Sequence, residues 1–115
     1  MLRGEIRVVD LDPVRISEVS KRRPAVIVSN DGANSTAARL GRGAVTVVPV
    51  TSSVDRVYPF QVLLPSSESG LDRDSKAQAE QVRSISVDRV SGRIGVVPPA
   101  LMHELDDALR LHLAL

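Results

Sequence analysis

The sequence predicts a mainly β domain that ends in one amphipathic helix. Short β-branched runs alternate with turn-forming residues along most of the chain, and leucines recur every four residues near its end. The length of 115 residues, 43% of them hydrophobic, suits a single domain that buries its own core. Together these observations favour a small, strongly bent β-barrel with the helix packed on it.

β-Branched residues mark three strands in the first half of the chain. These runs are residues 4–10, 24–29 and 44–50. Pro49 suggests that the third strand lies at an edge or contains a bulge, because proline cannot donate to a strand ladder. Residues 11–23 are polar and have no sustained period, which predicts a long loop. Residues 34–40 predict a short helix that ends at Gly41.

The second half of the chain predicts further strands and the terminal helix. The strands are residues 58–64, 75–81 and 93–97. Residues 66–70 predict a turn, and residues 82–88 suggest a single helical turn. After Pro98 and Pro99, a helical stripe consists of Leu101, Leu105, Leu109 and Leu113. Asp106 and Arg110 are spaced to pair on the polar side of this helix.

Composition excludes several classes of protein. Cysteine is absent, which removes disulfides, thiolate metal sites and cysteine nucleophiles and fits a reducing cytoplasm. The sequence contains neither an apolar run of about 20 residues nor the apolar segment of a secretion signal, so we predict a cytoplasmic protein without membrane contact. Tyr58 and Phe60 are the only aromatic residues, which disfavours a sheet that stacks several bases on rings.

Positive charge is concentrated in the first half of the chain. Residues 1–60 carry a balance of +3 and residues 61–115 a balance of −2, and thirteen of the fifteen basic residues are arginine. A biased genomic composition explains this equally well as recognition of an anion, for which the guanidinium fork is suited. The sequence has no long basic run of the kind that supports strong nonspecific binding to duplex nucleic acid.

Most familiar catalytic arrangements are absent from the sequence. His103 and His112 are nine residues apart, and at about 100° per residue they point to opposite faces of one helix. Asp10 and Asp12 alone make a weak magnesium site, so we predict no metal and no cofactor. The chain also lacks a P-loop, a GxGxxG motif and the GxSxG context of a serine hydrolase.

Two polar loops remain as a candidate site. The first contains Ser17, Glu18, Lys21, Arg22 and Arg23, and the second contains Thr51, Ser52, Ser53 and Arg56. Arg23 immediately precedes one predicted strand and Thr51 immediately follows another. If these strands pair antiparallel, the two side chains converge at one end of the sheet. The alternative is that both loops are merely solvated.

An ordered series of fragments resembles the MazF/PemK family of toxin endoribonucleases. The fragments extend along nearly the whole chain: Gly4-Glu-Ile, Val9-Asp-Leu-Asp-Pro13, Ser17-Glu18, Arg23-Pro-Ala-Val-Ile-Val-Ser-Asn-Asp31, Val48-Pro-Val-Thr51, Tyr58-Pro-Phe60 and Ala79-Glu-Gln-Val-Arg-Ser-Ile85. Each is weak alone, but their common order is specific. The resemblance implies a small SH3-like barrel of the CcdB/PemK type that spans residues 1–115.

The resemblance also implies an activity and its partners. It implies a homodimer that cleaves single-stranded RNA at short sequences without a metal, with 2′,3′-cyclic phosphate and 5′-hydroxyl products. A MazE-like antitoxin would occupy the RNA groove. By this resemblance Arg23 and Thr51 are catalytic, Glu18 is the acidic catalytic residue of the first loop, and Glu80 and Gln81 read bases. The wider RNA-binding set comprises Ser17, Arg22, Ser52, Ser53, Arg56 and Arg83.

Two positions depart from the family pattern. Ile16 stands where glycine is usual, and Arg7 stands where an aromatic residue is common. Three other functions remain open at this point. One is a non-catalytic CcdB-like toxin that inhibits a topoisomerase through its terminal helix, the second is a module that binds RNA without cleaving it, and the third is an unrelated globular domain.

Overall fold

A computed structural model describes residues 1–11 and 22–115 of the chain. The strands are β1 (Glu5–Asp10), β2 (Arg22–Ile27), β3 (Ala44–Thr51), β4 (Gln61–Leu64), β5 (Ser75–Gln78), β6 (Arg83–Ser86) and β7 (Val90–Val96). The helices are α1 (Asp31–Leu40), α2 (Ser66–Ser69) and α3 (Pro99–Leu113), with 3-10 turns at Ala79–Gln81 and Val87–Arg89. The predicted class, mainly β with a C-terminal helix, is confirmed.

The strands form one antiparallel sheet in the order β4-β5-β3-β2-β1-β7, and β6 pairs with β3 outside this path. Within residues 1–11 and 22–115 no ladder joins β4 to β7, so the sheet is open. β3 pairs with three strands: with β2 on one side, and with β6 and then β5 on the other.

Side chains from alternate strand positions build two apolar clusters. Val26 and Val48 belong to the cluster that α3 covers, together with Leu105. Their strand neighbours Ile27 and Val47 belong to a second cluster. This alternation follows from the two-residue period of a strand, and it means that β2 and β3 are buried on both faces.

The terminal helix lies on the sheet through the predicted leucine stripe. Leu105 is fully buried, Leu101 and Leu109 are half-buried, and Leu113 is exposed. The predicted ion pair of Asp106 with Arg110 is wrong. Asp106 accepts from Arg3 at 2.6 Å instead, and Arg110 donates to Asp107 at 3.0 Å.

α3, at 15 residues, is the longest helix in the part of the chain that the structure describes. No helix there has the length and apolar character that crossing a bilayer requires.

The predictions for Pro49 and for residues 82–88 are also wrong. Pro49 lies in the middle of the sheet, where it pairs with Ala25; on the other side of β3 it follows the residues that pair with β6 and precedes those that pair with β5. A residue without an N–H is tolerated at this change of partner. Residues 82–88 contain β6 and not only a helical turn, because Ile85 pairs with Val45 and is buried with it.

The turn after α2 lies directly against the backbone of β7. A Cβ built on Gly95 would come within 1.8 Å of the carbonyl oxygen of Ser69, and one on Gly70 within 2.9 Å of the carbonyl oxygen of Ile94. Gly70 also has a left-handed backbone with φ of +84°. Two glycines therefore allow backbone to approach backbone here.

We expect Gly95→Ala to lower the free energy of unfolding by about 1–3 kcal/mol, because the obstructing atoms belong to the backbone and cannot rotate away. Gly92→Ala is the matched control, since it lies in the same strand and its built Cβ meets nothing within 4 Å. The control should change stability by about 0.5 kcal/mol or less. Urea unfolding of both variants measures the difference, and equal midpoints would contradict the close approach.

Arg7, one of the two departures from the family pattern, forms an ion pair that fastens β1. Its guanidinium contacts the buried Glu5 carboxylate at 2.8 Å and donates to the carbonyl of Ser91 in β7 at 3.2 Å. Burial alone would raise the pKa of Glu5, but the hydrogen bond and charge of Arg7, with a backbone hydrogen bond of Leu2, outweigh it. The pKa of Glu5 is therefore lowered from its ordinary 4.5.

A lowered carboxyl pKa stabilises the fold above the pKa of the unfolded chain, and this contribution is lost as the pH falls through the folded value. We therefore expect stability to decline below about pH 4.5. Glu5→Gln should lower the free energy of unfolding at neutral pH by about 1–3 kcal/mol and flatten the acid decline. Unfolding curves from pH 7 to 3 test this. The control is Glu104→Gln on the exposed face of α3, and an equal acid slope in all three proteins would contradict the assignment.

Candidate functional site

The sheet brings Arg23 and Thr51 together. β2 and β3 pair antiparallel with Ala25 opposite Pro49, and the same register continued by two residues sets Arg23 opposite Thr51. Both side chains line one cavity of about 460 Å³. The convergence that the strand argument predicts is therefore observed.

The first cavity combines an apolar floor with a charged rim. Pro24, Val50, Leu71 and Ile94 supply apolar surface, and Ser52 and Ser75 add hydroxyls beside Thr51. The charged residues are Arg23, Asp72 and Arg73, so two guanidinium groups are opposed by one carboxylate. This excess of positive charge suits an anionic ligand such as a phosphodiester.

The hydroxyl of Thr51 is held so that it can donate into the cavity. Its Oγ1 accepts a hydrogen bond from the backbone N–H of Ser53 at 3.3 Å. Because this bond uses a lone pair, the hydroxyl proton remains available to a ligand. Buried Lys76, which lies opposite Thr51 in β5, donates to the carbonyl of Arg56 at 2.7 Å. That bond fastens the segment after Thr51 to the sheet.

A second cavity, of about 320 Å³, adjoins the first at Arg23. Its other lining residues are Leu11, Pro49, Gln78, Gln81 and Arg83. Two amides and a guanidinium offer both donors and acceptors, which are the groups that recognise an unstacked base by its edge. Arg23 lines both cavities, so its guanidinium stands where the two cavities meet.

The remaining predicted RNA-binding residues lie in different settings. Ser52 lines the first cavity, and Gln81 and Arg83 line the second. Arg22 donates from Nη2 to the hydroxyl of Ser91 at 2.7 Å, which connects β2 to β7. Neither described cavity includes Ser53, Arg56 or Glu80. Ser17 and Glu18, with Ile16, lie outside the described residues.

Glu80 faces Gln61 across the start of β4. Its Oε2 accepts from the Gln61 amide at 2.7 Å, and Gln61 in turn accepts from the backbone N–H of Tyr58 at 3.1 Å. The Tyr58 ring stacks on Phe60 with centroids 5.4 Å apart. Glu80 therefore connects the 3-10 turn to the aromatic segment, and its predicted role as a base reader stays a prediction.

Sequence reasoning missed four polar residues of the cavities: Asp72, Arg73, Ser75 and Gln78. Asp72 and Arg73 follow the turn that the two glycines hold against β7, and Gln78 ends β5. The 70–74 turn lies near the start of β2 only because of tertiary packing, so no local sequence pattern identifies Asp72 and Arg73 as site residues. The family fragment begins at Ala79, one residue after Gln78.

A metal centre finds no support in the described side chains. Residues 1–11 and 22–115 contain no cluster of three or more His, Asp or Glu side chains that could hold a metal ion. His103 and His112 are both exposed on α3. Of the two aspartates considered at the end of β1, Asp12 lies outside the described residues.

Comparison with known proteins identifies the family of the chain. The sequence model of PemK-like, MazF-like toxins of type II toxin–antitoxin systems matches residues 2–113. The chain belongs to this family. It is 61% identical over 115 residues to endoribonuclease MazF9 of Mycobacterium tuberculosis, which covers 100% of this chain and 98% of that protein. Endoribonuclease EndoA of Bacillus subtilis is 32% identical over 114 residues, with 98% and 94% covered.

Solved structures of the family have the same fold. An endoribonuclease from a mycobacterial species, in complex with its cognate antitoxin, superposes with a TM-score of 0.78 at 27% identity, covering 100% of this chain and 96% of that one. MazF from Deinococcus radiodurans superposes with a TM-score of 0.76 at 25% identity, with 100% and 97% covered. Over the residues that the structure describes, this chain therefore has the fold of these solved structures.

Proposed function

We propose that this chain is a toxin endoribonuclease that cleaves single-stranded RNA at short sequences. The observation that carries the proposal is the shared cavity of Arg23 and Thr51, found in a chain 61% identical to an endoribonuclease. These are the two positions at which the family resemblance places catalytic residues. Neither residue type is itself an activated nucleophile, so the cavity suits a reaction in which the substrate supplies the nucleophile.

In the proposed reaction the substrate's own 2′-hydroxyl attacks the adjacent phosphate. The 2′-oxygen forms a bond to phosphorus, the bond from phosphorus to the 5′-oxygen breaks, and a 2′,3′-cyclic phosphate and a 5′-hydroxyl remain. Arg23 donates two parallel hydrogen bonds to the phosphate oxygens, and Thr51 donates a third. These donors stabilise the extra negative charge of the transition state and hold the in-line geometry.

Proton transfer needs groups other than Arg23. The attacking 2′-hydroxyl loses a proton and the leaving 5′-oxygen gains one. An arginine is charged at every physiological pH, which makes it a poor base. We assign the base to Glu18, the carboxylate that the family resemblance places in the first loop. The proton returned to the leaving oxygen can come from water or from the protonated Glu18.

Sequence recognition takes place in the second cavity. A base unstacked beside Arg23 would meet the amides of Gln78 and Gln81 and the guanidinium of Arg83. A guanidinium recognises guanine O6 and N7 through two bonds, and an amide can both donate and accept. Specificity therefore arises from these side chains, while Arg23 and Thr51 act on the phosphate that every RNA shares.

The active form is a homodimer with a cognate antitoxin as its inhibitor. The chain leaves several large apolar side chains exposed, among them Ile94, Val96, Leu111 and Leu113, which a second copy could cover. One structural relative is described as a complex with its cognate antitoxin, which supports an antitoxin partner for this chain. Sedimentation of the purified chain, alone and with the antitoxin, tests both associations.

The decisive experiment is to incubate the purified protein with total RNA and map the new 5′ ends. The expected result is a short recurrent motif at the cleavage points, with 5′-hydroxyl ends and unchanged activity in EDTA. Intact RNA would refute the nuclease and return the CcdB-like topoisomerase inhibitor or the RNA-binding module as explanations. Loss of cleavage in EDTA would refute the metal-free mechanism while leaving the nuclease in place.

A further inference from the structure

We propose that Arg73 binds the RNA backbone as a second phosphate-recognising guanidinium, and that the Asp72 carboxylate beside it weakens RNA binding. The inference rests on the proposed function and extends it to two residues that neither the sequence pattern nor the family resemblance assigns. Its basis is that both side chains line the cavity of Arg23 and Thr51, although they belong to a turn that is far from Arg23 and Thr51 in sequence.

The backbone that carries Arg73 is well fixed. Its carbonyl accepts a hydrogen bond from the hydroxyl of Ser75 at 3.0 Å, and the neighbouring Asp74 carboxylate accepts from the backbone N–H of Ser66 at 2.9 Å. The start of the same turn lies against β7 through Gly70 and Gly95. The turn is therefore a stable wall of the cavity, and its backbone holds the Cα of Arg73 at the cavity before a ligand arrives.

The guanidinium of Arg73 is exposed and free for a ligand. Within residues 1–11 and 22–115 it makes neither an ion pair nor a hydrogen bond to the protein, in contrast to Arg3 and Arg7. Those two arginines donate to carboxylates and so stabilise the fold. Arg73 donates to none of the described residues, so its removal should change ligand binding more than stability.

The cavity is large enough for more than one phosphate group. At about 460 Å³ it exceeds what a single phosphodiester fills. In the proposed reaction Arg23 holds the phosphate beside Thr51, which leaves room for a second one. Arg73 enters from the 70–74 turn and Arg23 from β2, so two guanidinium groups on separate elements can hold successive phosphates of one strand. Asp72, a carboxylate on the same rim, repels the strand and weakens its binding.

The test compares RNA affinity and its salt dependence in Arg73→Met, Asp72→Asn and a control, Arg39→Met. Arg39 is exposed on α1 and lines neither cavity of the site, and its change removes the same charge. The probe is a short single-stranded RNA that contains the mapped cleavage motif, with a 2′-deoxy nucleotide at the scissile position to prevent turnover.

Arg73→Met should weaken binding by about tenfold and reduce the slope of log affinity against log salt by about 0.7, the value for one phosphate contact on a single strand. Asp72→Asn should tighten binding by about two- to fivefold. On cleavable RNA, Arg73→Met should raise KM and leave kcat nearly unchanged, because the contact is made equally in the ground and transition states. Arg73→Lys should restore the slope but not the full affinity.

Two results would overturn the inference. One is an Arg73→Met protein with the affinity and salt slope of Arg39→Met, and the other is weaker binding in Asp72→Asn. Both leave the nuclease proposal standing if the wild-type protein cleaves RNA. Failure of the wild-type protein to cleave any RNA refutes the nuclease instead, and it is read from a different assay.

Discussion

Arg23→Ala should reduce RNA cleavage by at least 10²–10³-fold, on the order of the loss that follows removal of one preorganised transition-state donor. The reason is geometric. Arg23 lines the same cavity as Thr51, and the β2–β3 register continued by two residues sets it opposite Thr51, so both side chains can donate to the same phosphate. Single-turnover rates on a short RNA with the mapped motif measure the loss.

The expected loss is in kcat and not in the fold. Arg23 is exposed at the start of β2, so its removal should leave the unfolding midpoint unchanged. Arg39→Ala is the control for loss of one exposed charge and should cleave at the wild-type rate. Near-normal turnover by Arg23→Ala would remove Arg23 from the chemistry and with it the observation on which the nuclease depends.

A 2′-deoxy nucleotide at the scissile position should abolish cleavage. In the proposed reaction the 2′-oxygen is the nucleophile, and this chain has no cysteine to replace it. Three hydroxyl side chains line the cavity, those of Thr51, Ser52 and Ser75. In the part of the chain that the structure describes none of them has a histidine base to activate it, since His103 and His112 lie exposed on α3. Gel analysis of the modified RNA provides the measurement.

The position of the deoxy nucleotide supplies the control. The same modification one nucleotide further along should leave cleavage within a few-fold of the all-ribose substrate, because only one 2′-hydroxyl attacks. The modified RNA should also remain a competitive inhibitor, since Arg23 and Thr51 bind phosphate oxygens that it retains. Cleavage at the modified position would require a protein or water nucleophile and would refute the mechanism.

Local pattern predicted much of the fold because each element has a local cause. β-Branched runs mark β1, β2 and β3, the leucine stripe marks α3, and Gly41 ends α1 in the left-handed conformation that glycine favours. Pro49 wrongly predicted an edge or a bulge. A proline is tolerated inside the sheet here because β3 changes from one partner strand to another beside it, which is a property of the whole sheet. The sequence does not predict β6, because Ile85 is the only apolar residue in this strand and one residue cannot show an alternation.

The candidate site was predictable only in part. Arg23 and Thr51 lie in β2 and β3, two strands that are near in sequence, so antiparallel pairing alone brings them together. Arg73 and Asp72 reach the cavity through the backbone contact of Gly70 with β7, which depends on residues far apart in the chain. The hydrogen-bond partner of Glu80 was not predictable from local sequence either, because the Gln61 amide belongs to β4 and Glu80 to a 3-10 turn 19 residues later.

The shared pairing of β3 has a consequence for how the site responds to heat. Displacing this strand would break its ladders with β2, β5 and β6 together, so such an excursion costs about as much as unfolding the domain. Thr51 closes that strand and keeps its register for as long as the protein is folded. The rate of RNA cleavage should therefore increase with temperature and fall only at the melting transition, without inactivation at lower temperatures.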